Sequence, residues 1–552
     1  MITNLPAIEM KCLSSLAKVF ADEELKDLPI KKASSLKNES FSFQVAFRAK
    51  KLMKGVQVRI TSTLSDLISI RSVGLVPSEL PCYPDRDTKI LRSTPGLYPD
   101  PLYLFDSSEG VTIVPDQWRA IWLTVELNQN INTGLHKIEV RFESATGEFV
   151  GSEFLELEVI PALLPKQKLI HTEWFHADCI ATFYGIEVFS EKHWNRIDQF
   201  IQTAVKYGMN MILTPIFTPP LDTKIGGERP TVQLIGVEKI GGKFSFNFDL
   251  LLRWVQLCLD RGIEYFEFSH LFTQWGAQHA PKIVAKENNV LKKIFGWETA
   301  AAGEDYKKFL DSFLPELIQF IKKHNLEKRS YFHVSDEPNI KNLESYRNAC
   351  EIVRGHLKEF PMIDALSDYD FYEKGLVRNP IPANNHIQPF LDHQVPNLWT
   401  YYCCGQGKDV SNRFFNMPSS RNRIIGFQLY KFDIVGFLHW GYNFYYSQYS
   451  IKPINPFQIT DAGFAFPSGD AFLVYPGVDG PIESIRLKVF HEALQDLRAL
   501  QLLEKFVGKK QVVTWLEEGL AKEITFSEYP MNEDWLLGKR NFINQKIAEY
   551  SA

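Results

Sequence analysis

Two carboxylates stand next to each other in the segment YFHVSDEP, at Asp336 and Glu337. The apolar and aromatic residues before them predict a β-strand, and Pro338 ends it because proline lacks a backbone N–H. Consecutive strand side chains point to opposite faces, but at a strand end the chain can twist so that both reach one cleft. Two like charges this close raise one pKa, which gives a proton donor beside an ionised neighbour. Hydrolysis of a glycosidic bond requires this division of labour.

The adjacency of the two carboxylates constrains the mechanism. Inverting glycosidases hold their carboxyls about 6.5–9.5 Å apart, and simple retaining ones place them on opposite faces of the anomeric carbon. Adjacent residues approach the sugar from one side, so the substrate, for example a 2-acetamido carbonyl oxygen, is the better nucleophile. Glu337 then protonates the leaving oxygen and Asp336 orients and polarises the acetamido N–H. The alternative interpretation is that the Asp-Glu-Pro turn only caps the following helix, since acidic residues are favourable at helix N-termini.

The elements that must position this pair are strands that alternate with helices. This alternation is typical of βα units around a parallel sheet, and eight strands suggest a closed (β/α)₈ TIM-like barrel over residues 166–508. The helix IESIRLKVFHEALQDLRALQLLEKF is expected to close the barrel. The eight candidate strands are LIHTEWFH, MNMILTPIF, EYFEFSHLF, RSYFHVSDE, MIDALSDY, NLWTYYCC, VGFLHWGYN and AFLVYP.

The residues before and after this barrel have a different pattern. Short runs of alternating apolar and polar residues, such as FSFQVAFRA and HKIEVRFES, predict an all-β sandwich. We assign residues 1–165 to this sandwich, as an accessory domain. Residues 509–552 are predicted to form a helical appendage.

The segments that follow the predicted strands are long and rich in Gly, Pro and aromatic residues, whereas those that enter strands are short. Barrel enzymes build their sites from the loops after the strands, so the polar and aromatic residues there are candidates for substrate binding. They supply hydrogen bonds for hydroxyls and flat surfaces for the C–H face of a pyranose. Tyr401 is the first choice for a donor to an acetamido carbonyl, although any one of the set can also be a packing residue. The set is His176, Asp178, His270, Trp275, Asp368, Tyr369, Tyr401, Trp440 and Asn443.

A metal site is a weaker interpretation of the same histidines. His176, Asp178, His270, His279 and His333 could gather at strand ends as in some barrel hydrolases. None of them shows the local His-x-His or His-x-x-x-His spacing that anchors such sites. The adjacent Cys403 and Cys404 point apart on a strand. We therefore predict neither a metal nor an organic cofactor.

The amino-acid composition indicates which partners and which cellular compartment to expect. The net charge is −5 without any block of Lys or Arg, so nucleic acid and membrane surfaces are not expected as partners. A neutral glycoside or oligosaccharide is expected instead, and formation of a homo-oligomer stays open. Charged residues interrupt the apolar runs of the N-terminus, and no segment has 18 uninterrupted apolar residues. With seven scattered cysteines, these features predict reduced thiols in a cytoplasmic protein.

Several short sequence motifs follow one another in a fixed order along the chain. They are WFHADCIATFYG, FSHLFTQWGAQHAPK, FHVSDEPN, YYCCGQG with Asn412 and Arg413 behind it, GFLHWGYN, and GDAFLVYPG followed by IESIRLKVF. From about His171 to Leu503 the chain resembles glycoside hydrolase family 123, bacterial β-N-acetylgalactosaminidases, within the broader group that shares the uncharacterised domain 4091. The resemblance implies a sandwich before the barrel and a retaining, substrate-assisted mechanism with Asp336 and Glu337.

The leading hypothesis is therefore a β-N-acetylhexosaminidase with a preference for the galacto configuration. A first alternative is a glycosidase that acts on sugars without the acetamido group, with a nucleophile such as Asp368 or Glu173 from another strand. A second alternative is a non-catalytic carbohydrate-binding barrel. The intact Asp336–Glu337 pair argues against the second, because an inactive site has no reason to keep two neighbouring charges.

Overall fold

The computed structural model describes residues 8–551. The chain divides into two units, each built from separate stretches of sequence. The first unit comprises Met1–Gln167, Lys408–Lys431 and Ile482–Ala552, and the second comprises Lys168–Gly407 and Phe432–Pro481. Within the described residues, no helix combines the length and the apolar composition needed to cross a lipid bilayer.

The N-terminal part of the first unit consists of strands, as its alternating sequence predicts. Five of them form the sheet order β1-β3-β8-β5-β6, and the other five form β2-β10-β9-β4-β7. Residues from both sheets, such as Phe43, Leu123, Phe142 and Leu157, are buried in one core, where each large apolar side chain contributes about 1.5–3 kcal/mol. The strands are β1 (Ile8–Ser14), β2 (Lys32–Lys37), β3 (Ser40–Ala49), β4 (Met53–Thr61), β5 (Ile68–Ser78), β6 (Gly96–Leu104), β7 (Val111–Ile113), β8 (Arg119–Glu126), β9 (Gly134–Glu143) and β10 (Phe149–Leu163).

The second unit is organised around short parallel strands. Six form a parallel sheet in the order β18-β15-β12-β11-β22-β21, and β19 pairs with β20 in a second parallel sheet. Single parallel bridges, Phe332 to Met362 and Ala383 to Tyr401, connect the two sheets. The strands are β11 (Ile170–Glu173), β12 (Met211–Thr214), β13 (Gly236–Ile240), β14 (Lys243–Asn247), β15 (Tyr265–Phe268), β16 (Ile283–Glu287), β17 (Val290–Phe295), β18 (Ser330–Phe332), β19 (Ile363–Ala365), β20 (Asn379–Ile381), β21 (Trp399–Tyr401), β22 (Gly436–His439) and β23 (Tyr475–Gly477).

Helices connect these strands, and α2 shows why they form. Its N-cap residue, Ser190, accepts a hydrogen bond from His193 N–H, which satisfies a free donor of the first turn. Its buried residues, among them Trp194, Ile197 and Ile201, recur at helical spacing and form one apolar stripe. The helices of this unit are α1 (Ala177–Tyr184), α2 (Glu191–Lys206), α3 (Asp249–Arg261), α4 (Glu304–Lys323), α5 (Leu343–Leu357), α6 (Asp370–Glu373) and α7 (Gln388–Asp392), with 3₁₀ turns at Glu327–Arg329, Ile340–Asn342 and Gln448–Ser450.

The remaining elements complete the first unit. Helix α10, capped by Ser484, packs on α8, α9, α12 and β6. The sequence assigned this helix to the barrel, and its contacts correct that assignment. These elements are α8 (Ser419–Arg423), α9 (Ile425–Lys431), β24 (Gly480–Ser484), α10 (Ile485–Val507), α11 (Lys509–Glu517) and α12 (Glu533–Ser551), and an early 3₁₀ turn lies at Ser65–Leu67.

Seven of the eight predicted strand segments contain a strand of the parallel sheets, but the eighth does not. The run AFLVYP is buried and forms an antiparallel bridge from Phe472 to Asn443, while only its end enters the short β23. The prediction failed because a short apolar run signals burial without specifying its backbone conformation. The strand it missed is β20, whose sequence Asn-Pro-Ile has little strand character. The observed architecture is thus mixed α/β, with a sheet-rich N-terminal region and half-barrel sheets.

Candidate active site

Asp336 and Glu337 follow β18 and turn towards one cavity. Glu337 has a left-handed backbone with φ of 44°, an uncommon conformation for a residue other than glycine. Neighbouring segments hold the turn: Trp275 N–H donates to the Asp336 carbonyl at 2.8 Å, and Glu337 N–H donates to the Ala365 carbonyl at 3.1 Å. This twist brings both side chains to the same cavity, although they are consecutive in the chain.

The cavity has a volume of about 200 Å³ and lies entirely within the second unit. Three carboxylates and six aromatic side chains make up most of its lining, a composition suited to a sugar ring. The carboxylates are Asp222, Asp336 and Glu337, and the aromatic residues are Trp174, Trp275, Tyr401, Trp440, Tyr449 and Phe466. Cys403 and Cys404 also line it, and all seven cysteines of the chain are free thiols.

Tyr401, at the end of β21, contacts the second catalytic candidate directly. Its hydroxyl donates to Glu337 Oε1 at 2.6 Å, a length typical of a hydrogen bond to a charged oxygen. Burial raises the pKa of Glu337, and the charge of Asp470 acts in the same direction. The Tyr401 hydrogen bond opposes this rise because it stabilises the ionised carboxylate.

The pKa of Asp336 is affected by burial and by the charged groups around it. Burial and then the charge of Glu337 raise the pKa of Asp336 well above its usual range. The positive charge of His333 lowers this pKa, whereas Asp364 and Asp222 raise it further. With both carboxyl pKa values raised, the pair binds a proton more tightly than exposed carboxyls do, as acid catalysis requires.

His333 supplies a buried positive charge beside the pair. Its Nε2 lies 3.2 Å from Glu267 Oε2, and its Nδ1 lies 3.4 Å from Asp364 Oδ1. Burial alone lowers the pKa of His333, but Asp364 and Glu267 outweigh it and raise this pKa to about 9. The ring of His270 stacks on His333 at 4.3 Å, and burial followed by the charge of His333 holds the pKa of His270 well below its usual range.

The same buried group is the arrangement closest to a metal site among residues 8–551. Ligand atoms of His270, His333 and Asp364 lie within 4.8 Å of one another. A metal ligand must be a neutral imidazole, whereas His333 has a carboxylate at each ring nitrogen and a raised pKa. This environment favours an imidazolium ion over a metal ligand.

Trp440 is fixed in the cavity wall by buried acids and histidines. Its Nε1 donates to Asp470 Oδ2 at 2.9 Å, and Asp470 Oδ1 lies 3.4 Å from His439 Nε2. Behind them, Glu173 lies 3.6 Å from His439 and 3.1 Å from His171. The indole is therefore held in one orientation before any substrate binds.

Asp222, which was not among the predicted site residues, and Tyr449 both line the cavity. Tyr449 N–H donates to Asp222 Oδ2 at 3.0 Å, and the rings of Tyr449 and Trp275 meet edge to face at 5.8 Å. All three residues have left-handed backbones, with φ of 37° at Asp222 and 58° at the other two. Such conformations concentrate at ligand-binding sites. The long loop PIFTPPLDTKIGGERP gave a signal for this part of the site, but no pattern distinguished Asp222 within it.

Four predicted site residues line the cavity together with Asp336: Glu337, Trp275, Tyr401 and Trp440. Three others, His176, Asp178 and Asn443, are buried and form hydrogen bonds within the protein. Arg229 forms a two-pronged ion pair with Asp178 at 2.7 and 2.8 Å and also donates to His176 Nδ1 at 3.1 Å. The His176 backbone N–H donates to Asn443 Oδ1 at 2.9 Å. Burial, with the charge of Arg229, lowers the pKa of His176 to about 3. These contacts connect the three residues to other groups of the protein.

The other predicted residues lie outside the cavity lining as well. Asp368 accepts a hydrogen bond from Ile340 N–H at 2.9 Å, and the Tyr369 ring stacks on His393 at 4.5 Å. His270 is buried against His333. Position at a strand end therefore indicates the edge of the sheet at which the cavity lies, but it does not indicate which side chains face the cavity.

A mixed α/β fold with an adjacent carboxylate pair in an aromatic-lined cavity is consistent with a glycoside hydrolase, and comparison with known proteins supports this class. The family model described as "Glycoside hydrolase 123, catalytic domain" matches residues 174–503. The chain therefore belongs to glycoside hydrolase family 123, as its motifs predicted, and carbohydrate is its substrate class.

The fold is also found in a solved structure. The structure of a family 123 glycoside hydrolase from Clostridium perfringens, described in a study of glycolipid glycan hydrolysis, has 17% sequence identity, covers 99% of both chains and gives a TM-score of 0.76. The match to a structure described as a β-galactosidase from Bacteroides fragilis covers 86% of this chain and 60% of that chain at 10% identity, with a TM-score of 0.33. The match to a family 5 mannosidase from Rhizomucor miehei covers 63% of this chain and 94% of that chain at 11% identity, and its TM-score is also 0.33. No curated protein matches the sequence.

Proposed function

We propose that this enzyme removes β-linked N-acetylhexosamine, preferably N-acetylgalactosamine, by a retaining, substrate-assisted mechanism. Glu337 donates a proton to the leaving glycosidic oxygen. The acetamido carbonyl oxygen of the substrate attacks the anomeric carbon and forms an oxazolinium-type intermediate, while Asp336 accepts a hydrogen bond from the acetamido N–H. Water, deprotonated by Glu337, then opens the intermediate with net retention.

The observation that carries this proposal is the turn that directs Asp336 and Glu337 into one cavity from the same side. The acetamido N–H would stabilise ionised Asp336 by hydrogen bonding. Since burial and Glu337 otherwise raise the pKa of Asp336, substrate binding shifts the shared proton towards Glu337, where it is needed. A cavity of about 200 Å³ is smaller than the roughly 300–1,000 Å³ of drug-sized ligand pockets, which favours one sugar unit as its occupant.

The wider setting is proposed on the same basis. We infer that the two parallel sheets act as one (β/α)₈-type barrel, because single bridges connect them. The division into an accessory sandwich (1–165), a catalytic barrel (166–508) and an appendage (509–552) stays a prediction, apart from α10, which belongs to the first unit. The Clostridium perfringens enzyme is described in terms of glycolipid glycan hydrolysis, and we propose a glycan-derived substrate for this chain too.

The test compares aryl β-glycosides of N-acetylgalactosamine, N-acetylglucosamine, galactose and glucose. The native chain is expected to cleave only the acetamido sugars. Asp336→Asn and Glu337→Gln are expected to lower kcat by at least about 100-fold, since general acid–base catalysis contributes roughly 10²–10⁴-fold. Glu351→Gln, an exposed change on α5, is the matched control and should leave turnover unchanged.

Product stereochemistry provides an independent readout. Proton NMR of the first product formed should show the β-anomer, as retention requires. Cleavage of plain galactosides or glucosides at comparable rates, or an α-anomer as first product, would contradict the substrate-assisted mechanism.

A second candidate function is a glycosidase that uses a protein nucleophile, and one observation favours it. The cavity contains a third carboxylate, Asp222. The nucleophiles suggested by the sequence lie elsewhere: Glu173 is buried between His171 and His439, and Asp368 is outside the lining. Under this alternative Asp222 is the residue to test. A non-catalytic carbohydrate-binding role predicts sugar binding without turnover in the same panel.

A further inference from the structure

Asp222 lies in the long loop after β12 and lines the cavity that contains the carboxylate pair. One of its oxygens, Oδ2, accepts the Tyr449 N–H. Among residues 8–551, no side chain or backbone group donates a hydrogen bond to the other oxygen, Oδ1. Asp222 is half-buried in the cavity, so an oxygen without a protein donor is available there to accept a hydrogen bond from a ligand.

The loop that carries Asp222 is fixed in position. Ser450 Oγ donates to the Asp222 carbonyl at 2.7 Å, and Lys224 N–H donates to the Tyr449 carbonyl at 3.0 Å. On the other side, Arg229 donates to the Leu221 carbonyl at 3.1 Å. These bonds hold the left-handed backbone of Asp222, so its carboxylate is preorganised rather than free to turn towards solvent.

We propose that Asp222 is the specificity-determining acceptor of the site, and that its free oxygen binds a ring hydroxyl of the terminal sugar away from the scissile bond. This inference rests on the proposed function. The partner it names is a sugar hydroxyl at C3, C4 or C6, because a carboxylate accepts hydrogen bonds from neutral hydroxyls and repels anionic groups. A site that hydrogen-bonds one hydroxyl discriminates strongly against a sugar that lacks or misplaces it.

The charge of Asp222 also affects the catalytic pair. It raises the pKa of Asp336, and burial raises the pKa of Asp222 itself to about 6. A hydroxyl bound to Asp222 stabilises its ionised form. Recognition of that hydroxyl and protonation of the pair are therefore linked through one carboxylate.

The experiment is a cycle of enzyme variants and deoxy substrates. The native chain, Asp222→Asn and the control Asp106→Asn are assayed with the aryl β-N-acetylgalactosaminide and its 3-, 4- and 6-deoxy analogues. Asparagine keeps an acceptor for Tyr449 N–H but removes the charge, and Asp106 likewise accepts one backbone N–H, from Ser108. Thermal unfolding of each variant at pH 7.5 checks that it is folded.

With the full substrate, Asp222→Asn is expected to raise KM about 10- to 100-fold and to change kcat by less than about threefold. For the one deoxy analogue that lacks the recognised hydroxyl, native and variant should have the same kcat/KM. Equal effects of the substitution on all substrates, or none, would overturn the inference. A kcat loss above about 1,000-fold that azide restores would instead identify Asp222 as a nucleophile.

Failure of the proposed function gives a different result. Cleavage of plain galactosides would refute acetamido assistance, yet the same cycle with deoxy galactosides still tests Asp222. If no glycoside is cleaved, calorimetric titration with N-acetylgalactosamine replaces kinetics. Binding at least tenfold weaker to Asp222→Asn than to Asp106→Asn supports the inference, and equal binding overturns it.

Discussion

At the scale of single residues, the site depends on two opposing influences on one carboxylate. Burial raises the pKa of Glu337, while the hydroxyl of Tyr401 lowers it through a hydrogen bond of 2.6 Å. The same tyrosine was expected to bind the acetamido carbonyl. A hydroxyl that already donates to Glu337 has no second proton to donate, so that role requires the hydroxyl to change partner when substrate binds.

This hydrogen bond predicts the effect of Tyr401→Phe on the pH profile. Without it the ionised form of Glu337 is less stable, so the pKa of Glu337 rises and the general acid stays protonated to higher pH. We expect the basic limb of kcat/KM to move up by roughly 0.5–1 pH unit, since a hydrogen bond contributes about 1 kcal/mol. A substrate with an alkyl leaving group makes protonation necessary, and Tyr372→Phe, outside the cavity lining, is the control. An unchanged limb, or one shifted to lower pH, would show that Tyr401 does not set this pKa.

At the scale of elements, the site is assembled from strand ends and loops that a buried arginine connects. Arg229 binds Asp178 at the start of α1 and the Leu221 carbonyl in the loop after β12. Both side chains of the ion pair are 2% exposed, so the pair is protected from water. It holds the Asp222 loop to a helix of the same unit.

Substitution of this arginine should therefore destabilise the fold strongly. Arg229→Ala leaves Asp178 buried and unpaired, which costs about 3–5 kcal/mol. Arg253→Ala removes an exposed partner of Glu191 and should cost less than about 1 kcal/mol. Urea unfolding at pH 7 measures both. A loss below 1 kcal/mol for Arg229→Ala would mean that the loop is held by its other contacts.

The sequence predicts the strands and helices better than the contacts between them. Strand ends and loop lengths led to the candidates Asp336, Glu337, Tyr401 and Trp440, which line one cavity, because the ends of parallel strands meet at one edge. They could not show that Asp178 faces Arg229, since that pairing joins positions 51 residues apart and depends on the tertiary fold. Asp222 was missed for a related reason: in a loop without periodicity, residue type alone does not reveal which way a side chain faces.

At the scale of the whole molecule, buried ionisable groups determine how stability changes with pH. Burial raises the pKa of Asp222 to about 6 and that of Glu492 to about 7, so their contribution is present below about pH 4 and is lost as pH rises through 6 to 7. Against burial, Asp364 and Glu267 raise the pKa of His333 to about 9, and this extends the loss up to that pH. Burial lowers the pKa of His176 to about 3, so its contribution is lost as pH falls from about 6.5.

The raised pKa values of Asp222, Glu492 and His333 predict that stability declines from about pH 5 towards pH 9, and the lowered pKa of His176 opposes part of this decline below about pH 6.5. Apparent unfolding temperatures between pH 4 and 9 test this. Glu492→Gln should reduce the decline between about pH 4.5 and 7, because it removes one of the groups that releases a proton there, whereas Glu351→Gln should not. A native chain most stable at pH 8 or above would contradict the assigned pKa directions.

The hydrogen bond from Tyr449 N–H to the Asp222 side chain joins positions 227 residues apart, so it can form only after both segments have been synthesised. The cavity lining extends from Trp174 to Phe466, and Asp470, which fixes Trp440, comes later still. On the ribosome, the carboxylate pair is synthesised before the later part of the cavity wall, which extends from Ala365 to Phe466. Contacts this distant form late and slowly. We therefore expect activity only after Asp470 has been synthesised, and nascent chains that stop before it should be inactive even though they contain both Asp336 and Glu337.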